Sequence, residues 1–152
     1  LEKALWTIPA DRMKANKEQR IPLSARAVAI LREVVLLTNG RPDMPLFPST
    51  KGGKLSGMAM SMLLRRMGYE GITVHGFRST FRDWAGECTA FPREVVEHAL
   101  AHQLADKAEA AYQRGTLFPK RVKLMEAWAA YCTKPVVRDG NITSIGPQWR
   151  LG

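Results

Sequence analysis

His75 and Arg78 stand three positions apart. On the opening turn of a helix their side chains leave from one face and can grip a single anion. Arginine offers a planar fork to two phosphate oxygens, and an adjacent imidazole donates to a third position or shuttles a proton. Alone, a His-x-x-Arg pair is more often an ordinary surface feature than a catalytic one. His98 and His102 stand at i and i+4, a spacing that lets two imidazoles hold one metal ion from one helix face. The zinc-protease pattern needs a glutamate directly after the first histidine, where this chain has Ala99, and no third ligand stands out. The simpler reading of His98 is a partly exposed residue near a helix C-terminus, where the helix dipole favours a cationic imidazole.

Tyr112 lies between Ala111 and Gln113-Arg114, in a segment of small and polar residues with no large apolar face to explain it as core. A phenol, with a reference pKa of about 10, is a poor nucleophile unless cations stabilise the phenolate or a base takes its proton. The ordinary alternative is a ring packed on the domain with its hydroxyl in water. Lys14 and Lys17 fall in a charged stretch between two apolar segments. There a long side chain either reaches into an adjoining site or is a solvated turn residue.

The elements that would position these residues follow from the hydrophobic pattern. Residues 5–9 and 19–23 read as two short strands joined by a polar tip carrying both lysines, a hairpin. Ser24 is placed to cap a core-forming helix bearing Ala27, Ile30, Leu31, Val34 and Val35, with Asn39-Gly40 as its stop. Prolines and glycines make residues 41–55 a surface connection anchored by Leu46-Phe47. A second helix over 56–67 carries Met58, Met62, Leu63 and Met67 as flexible core, and Gly68 ends it. The His75–Arg78 pair stands at the entrance of a helix that turns Phe81, Trp84 and Ala85 inward. Pro92 opens the next helix, with Val95, Val96, Ala99 and Leu100 as its apolar face. Residues 106–114 form a short helix bearing Tyr112, and 119–132 another with Val122, Met125, Trp128 and Ala129 inward. The fold class expected is therefore mixed α/β, mostly α, with a small antiparallel sheet. One domain spans 1–132, and 133–152, rich in Gly and Pro, is a tail.

Twenty-three Lys plus Arg against 14 Asp plus Glu give a formal charge of +9, which favours a polyanionic partner. No apolar run approaches the roughly 20 residues that span a bilayer, and no secretory signal opens the chain, so a cytoplasmic location is expected. Cys88 and Cys132, the only cysteines, sit in amphipathic segments and are expected as buried free thiols. The chain opens with Leu1 and runs quickly into a strand pattern, as a piece of a longer protein would.

Taken together these segments resemble the tyrosine recombinase, or phage integrase, family from Trp6 to Tyr131. Residues 6–10 and Arg12-Met13-Lys14, followed by Ile21-Pro22-Leu23-Ser24, look like the lysine-bearing hairpin of prophage integrases. Val74-His75-Gly76-Phe77-Arg78 looks like the family's His-x-x-Arg box, and Leu100-Ala101-His102 is similar to its second histidine motif. Ala111-Tyr112-Gln113-Arg114, with Arg121, Trp128 and Tyr131 following, looks like the nucleophile helix and its prophage-type extension. The order of the four parts is far more specific than any one of them.

The resemblance implies a helical catalytic domain with a small sheet. It implies that Tyr112 attacks a DNA phosphate to give a 3′-phosphotyrosine and a free 5′ hydroxyl. Arg78 and His102 would then neutralise the nonbridging oxygens, His75 would help position the phosphate and take the tyrosine proton, and Lys14 would protonate the leaving oxygen, with Lys17 as second choice. No metal or nucleotide cofactor is needed. The partner implied is a double-stranded DNA attachment site, bound by a homo-tetramer, while the free fragment can be monomeric. One departure matters: the family's first arginine, in a Gly-x-Arg setting, precedes the lysine hairpin, and Gly40-Arg41 comes too late in the order. A lost clamp of this kind typically costs about 10²-fold in rate or more, so a weak recombinase is expected. Without the family's N-terminal DNA-clamping domain, affinity for DNA should also be weak and steeply salt-dependent.

Overall fold

The chain is described by a computed structural model over residues 1–41, 43–102 and 117–135. Strand β1 (Leu5–Ile8) and strand β2 (Gln19–Pro22) pair antiparallel, Leu5 opposite Pro22 and Ile8 opposite Gln19. A short 3₁₀ turn at Ala10–Arg12 leads from β1 into a tight turn closed by Asn16 N–H donating to Met13 O at 2.9 Å. Five α-helices complete the described residues: α1 (Ala25–Leu37), α2 (Ala59–Arg66), α3 (Gly76–Cys88), α4 (Arg93–Ala99) and α5 (Phe118–Thr133). The mixed, mostly helical architecture with a two-stranded antiparallel sheet is the one the sequence pattern predicts.

The core lies where α3, α4 and α5 meet. Phe81, Trp84 and Ala85 from α3, Val95 and Val96 from α4, Leu100 just beyond it and Leu124 from α5 are buried together. Their spacing along α3, Phe81 to Trp84 to Ala85, is the i, i+3, i+4 stripe that one helix face must bury. Trp128 closes this cluster, edge-on to Phe81 with ring centroids 5.4 Å apart and 5.0 Å from Trp84. Such offset and edge contacts let each electron-rich ring face meet a positive ring edge.

The hairpin and α1 hang on α5. Arg121, buried in α5, donates from Nη1 to Arg20 O at 2.8 Å, and Glu126 Oε1 accepts from the Ala25 amide at 2.9 Å. Ser24 adds the expected cap, its hydroxyl accepting from Ala27 N–H at 3.2 Å. The predicted stops also hold. Asn39 and Gly40 turn left-handed after α1, and Gly68, at φ +82°, closes α2 with Tyr69 N–H bonded to Leu64 O.

Three expectations are corrected. Helix α2 starts at Ala59, after a turn in which Ala59 N–H reaches Ser56 O, and its methionines are not core. Met58, Met62, Leu63 and Met67 are exposed and Leu64 alone is buried, because periodicity reveals an apolar face but not whether another element covers it. Helix α1 half-buries Ala27, Leu31, Val34 and Val35 but leaves Ile30 exposed, and α5 leaves Val122 exposed where it was expected inward, for the same reason. Cys88 and Cys132 are exposed, since each sits in the last turn of its helix, past the buried Trp84 and Leu124. The helix expected over 106–114 and most of the tail, 136–152, lie outside the described residues.

Candidate anion site at the junction of α3 and α4

The geometry of the candidate site starts at the entrance to α3. The Thr73 hydroxyl accepts from Gly76 N–H at 3.0 Å and fixes where the helix begins. His75 is thereby the residue at the helix edge, exposed, and Arg78 lies in the first turn, half-buried. Arg78 N–H donates to His75 O at 3.0 Å, so the two predicted partners share one turn at the positive end of the helix dipole.

Arg78 then reaches across to α4. Its Nη2 donates to Leu100 O, the carbonyl at which α4 ends. A guanidinium has five N–H donors, so this bond fixes the side chain and leaves donors for an anion. Beyond Leu100 the chain turns sharply, with Ala101 left-handed at φ 53°, and His102 N–H folds back onto Glu97 O at 2.9 Å. His102 is thus set two residues from the carbonyl that holds Arg78.

Glu97 holds the His102 ring as well. Its Oε2 lies 2.5 Å from His102 Nδ1, while Oε1 accepts from Arg82 Nε at 3.1 Å and faces Arg93 Nε at 3.9 Å. The carboxylate is buried, at 7% exposure, with Arg82 presented from α3 one turn after Arg78. Burial pushes its carboxyl up. The hydrogen bonds from His102 and Arg82, with their charges, outweigh that and hold it below the ordinary glutamate range. The sequence reading passed over Glu97. The only signal was an acid in the apolar run Val95-Val96, four positions after Arg93 and five before His102.

The remaining predicted residues stand apart from this cluster. Lys14 occupies the tight turn of 13–16 and Lys17 follows it, both exposed, with no hydrogen bond or ion pair to either among the described residues. The hairpin nevertheless approaches the same helix end, because Gln19 Nε2 donates to His98 O at 2.9 Å. His98 is half-buried in the last turn of α4. Among the described residues no three His, Cys, Asp or Glu side chains are grouped to hold a metal ion. No helix among them is long and apolar enough to cross a membrane. Tyr112 lies outside the described residues.

Chemically, the junction offers an arginine fixed through one donor, an imidazole fixed through Nδ1 and a second histidine on the adjoining helix edge. That set can stabilise negative charge on tetrahedral oxygens and exchange a proton at an imidazole. No family model matches the chain, and no solved structure matches it. Among characterised proteins it is 36% identical over 127 residues to the prophage integrase IntA of Escherichia coli K12, across 82% of this chain and 30% of the relative. It is 31% identical over 143 residues to the prophage integrase IntZ of the same organism, across 93% of this chain and 35% of that relative. The chain spans about a third of the length of these relatives. Similarity across most of the chain to two prophage integrases supports membership in the integrase family.

Proposed function

We propose that, within the integrase family, this chain is the C-terminal catalytic part of a tyrosine site-specific recombinase that integrates or excises a prophage or mobile element. Residues 1–132 form the catalytic unit and 133–152 its tail. The substrate is a double-stranded DNA attachment site, held by a tetramer of the protein in the cytoplasm. The Tyr112 hydroxyl oxygen attacks the scissile phosphorus and the bond to the 5′ oxygen breaks, leaving a 3′-phosphotyrosine. Arg78 and His102 take up the charge that builds on the nonbridging oxygens, His75 accepts the phenol proton and Lys14 gives a proton to the departing 5′ oxygen. The free 5′ hydroxyl of a partner strand reverses the step, so bond energy is kept and no nucleotide is consumed.

The observation that carries this reading is the meeting of Arg78 with the Leu100 carbonyl, two residues before His102. Two parts of the motif order that are 24 positions apart in sequence come together at one helix end. The +9 charge suits a DNA partner.

A crystal of the protein soaked with vanadate tests the reading. One vanadate touched by His75, Arg78 and His102, with the Tyr112 hydroxyl facing it, is the expected result. Vanadate bound elsewhere, with those three side chains on separate surfaces, overturns the catalytic reading in favour of a noncatalytic DNA-binding module.

A further inference from the structure

Glu97 has no part in the strand-transfer steps above, yet it is the most engaged side chain at the junction. It is buried, its Oε2 stands 2.5 Å from His102 Nδ1, and its Oε1 takes Arg82 Nε at 3.1 Å with Arg93 Nε at 3.9 Å. Its backbone oxygen also accepts the His102 amide. Arg78 and Arg82, one turn apart on α3, therefore both tie that helix to the end of α4, one through Leu100 O and the other through Glu97. Buried acids remain buried only when their lone pairs are satisfied, and here both oxygens are.

We propose that Glu97 is a positioning residue for strand transfer, fixing His102 as the Nδ1–H tautomer and locking α3 to α4 so that Arg78 and His102 address one phosphate. The role rests on the strand-transfer reading, whereas the pairing of Glu97 with His102 does not. An ionised carboxylate has only acceptor positions, so the ring nitrogen it touches must donate. The carboxyl is held below the ordinary range, so it is ionised at neutral pH. A neutral His102 then carries its proton on Nδ1 and a lone pair on Nε2. Any proton the ring gains goes to Nε2, on the side away from Glu97, where it can meet a phosphate oxygen without a ring flip. Fixing the tautomer through an acid on the far ring nitrogen is how an imidazole is kept ready for its task.

The test is nitrogen-15 NMR of the histidine side chains, which separates the two neutral tautomers, together with single-turnover capture of Tyr112-linked DNA on a randomised pool of nicked duplexes. The wild-type protein is expected to show neutral His102 as Nδ1–H. Glu97→Gln, whose amide both donates and accepts, should give a mixture of tautomers. Adduct formation should fall on the order of tenfold to a hundredfold, with duplex binding changed less than about twofold. An Nε2–H tautomer in the wild-type protein overturns the proposal without need of any variant, and so does a Glu97→Gln protein that forms adduct at the wild-type rate. Absence of a Tyr112 adduct from the wild-type protein sinks the strand-transfer reading and the positioning role with it. The tautomer measurement then still decides whether the Glu97–His102 pairing exists.

Discussion

Gln19 and His98 are joined by a hydrogen bond from the Gln19 side-chain Nε2 to the His98 carbonyl, 2.9 Å long and spanning 79 positions of sequence. The neighbouring Arg20 carbonyl accepts from Arg121 of α5. Two successive residues of β2 are thus pinned to two different helices, and the turn that carries Lys14 is carried on that strand. Gln19→Ala removes the donor and should cost about 0.5–1.5 kcal/mol. Urea unfolding reads the loss, and faster amide exchange in β2 would accompany it. An unchanged midpoint and unchanged exchange would show that the bond contributes nothing to the placement of the hairpin.

Ala101 occupies a left-handed conformation, φ 53°, at the end of α4. A side chain with a Cβ is strained there by roughly 1–2 kcal/mol, which glycine avoids. Ala101→Gly should therefore stabilise the protein by about 0.5–1 kcal/mol after the extra freedom of glycine in the unfolded chain is subtracted. A rise in thermal midpoint of a few degrees is the expected reading. A fall in the midpoint would mean that Ala101 is not left-handed in solution.

The Glu97 carboxyl titrates below its ordinary value of 4.5: burial works against this, and hydrogen bonds and charge from His102 and Arg82 prevail. Arg93 faces it too, at 3.9 Å. A group whose folded pKa is depressed contributes its stability in full above the unfolded pKa and loses it as pH falls through the folded pKa. The gap in urea midpoint between wild type and Glu97→Gln should thus be greatest near neutral pH. It should shrink as the pH is taken below about 4.5, the unfolded value. A gap that stays constant through the acid range would contradict the assignment.

Tyr112→Phe removes one oxygen and leaves the ring. Under the strand-transfer reading it abolishes detergent-stable protein–DNA adducts, while duplex binding, measured by fluorescence anisotropy, changes less than about twofold. Adducts that persist in the variant would place the nucleophile elsewhere.

Much of the fold could be read from local chemistry. The Phe81–Trp84–Ala85 stripe, the Ser24 cap and the Gly68 stop each depend on neighbours within about one helical turn, and each stands where the pattern puts it. The methionines of α2 show the limit of this reasoning. Their spacing gives one apolar face, but whether that face is covered depends on elements far along the chain, and here it is exposed. The two cysteines failed for a related reason: an amphipathic period says which side of a helix a residue is on, not whether the core extends to its last turn.

The candidate site divides the same way. The sequence by itself determined which side chains are present and the order of four short motifs, because residue type and spacing fix what a helix turn can present to an anion. It also determined the positive charge and the mostly helical fold class. Only the tertiary structure decided that Arg78 meets the end of α4, that Gln19 draws the lysine hairpin to that end, and that the overlooked Glu97 holds His102. Those pairings join residues on different elements. Their geometry is set by how α3, α4 and α5 pack around Leu124 and Val95, and no local pattern of residues encodes that packing.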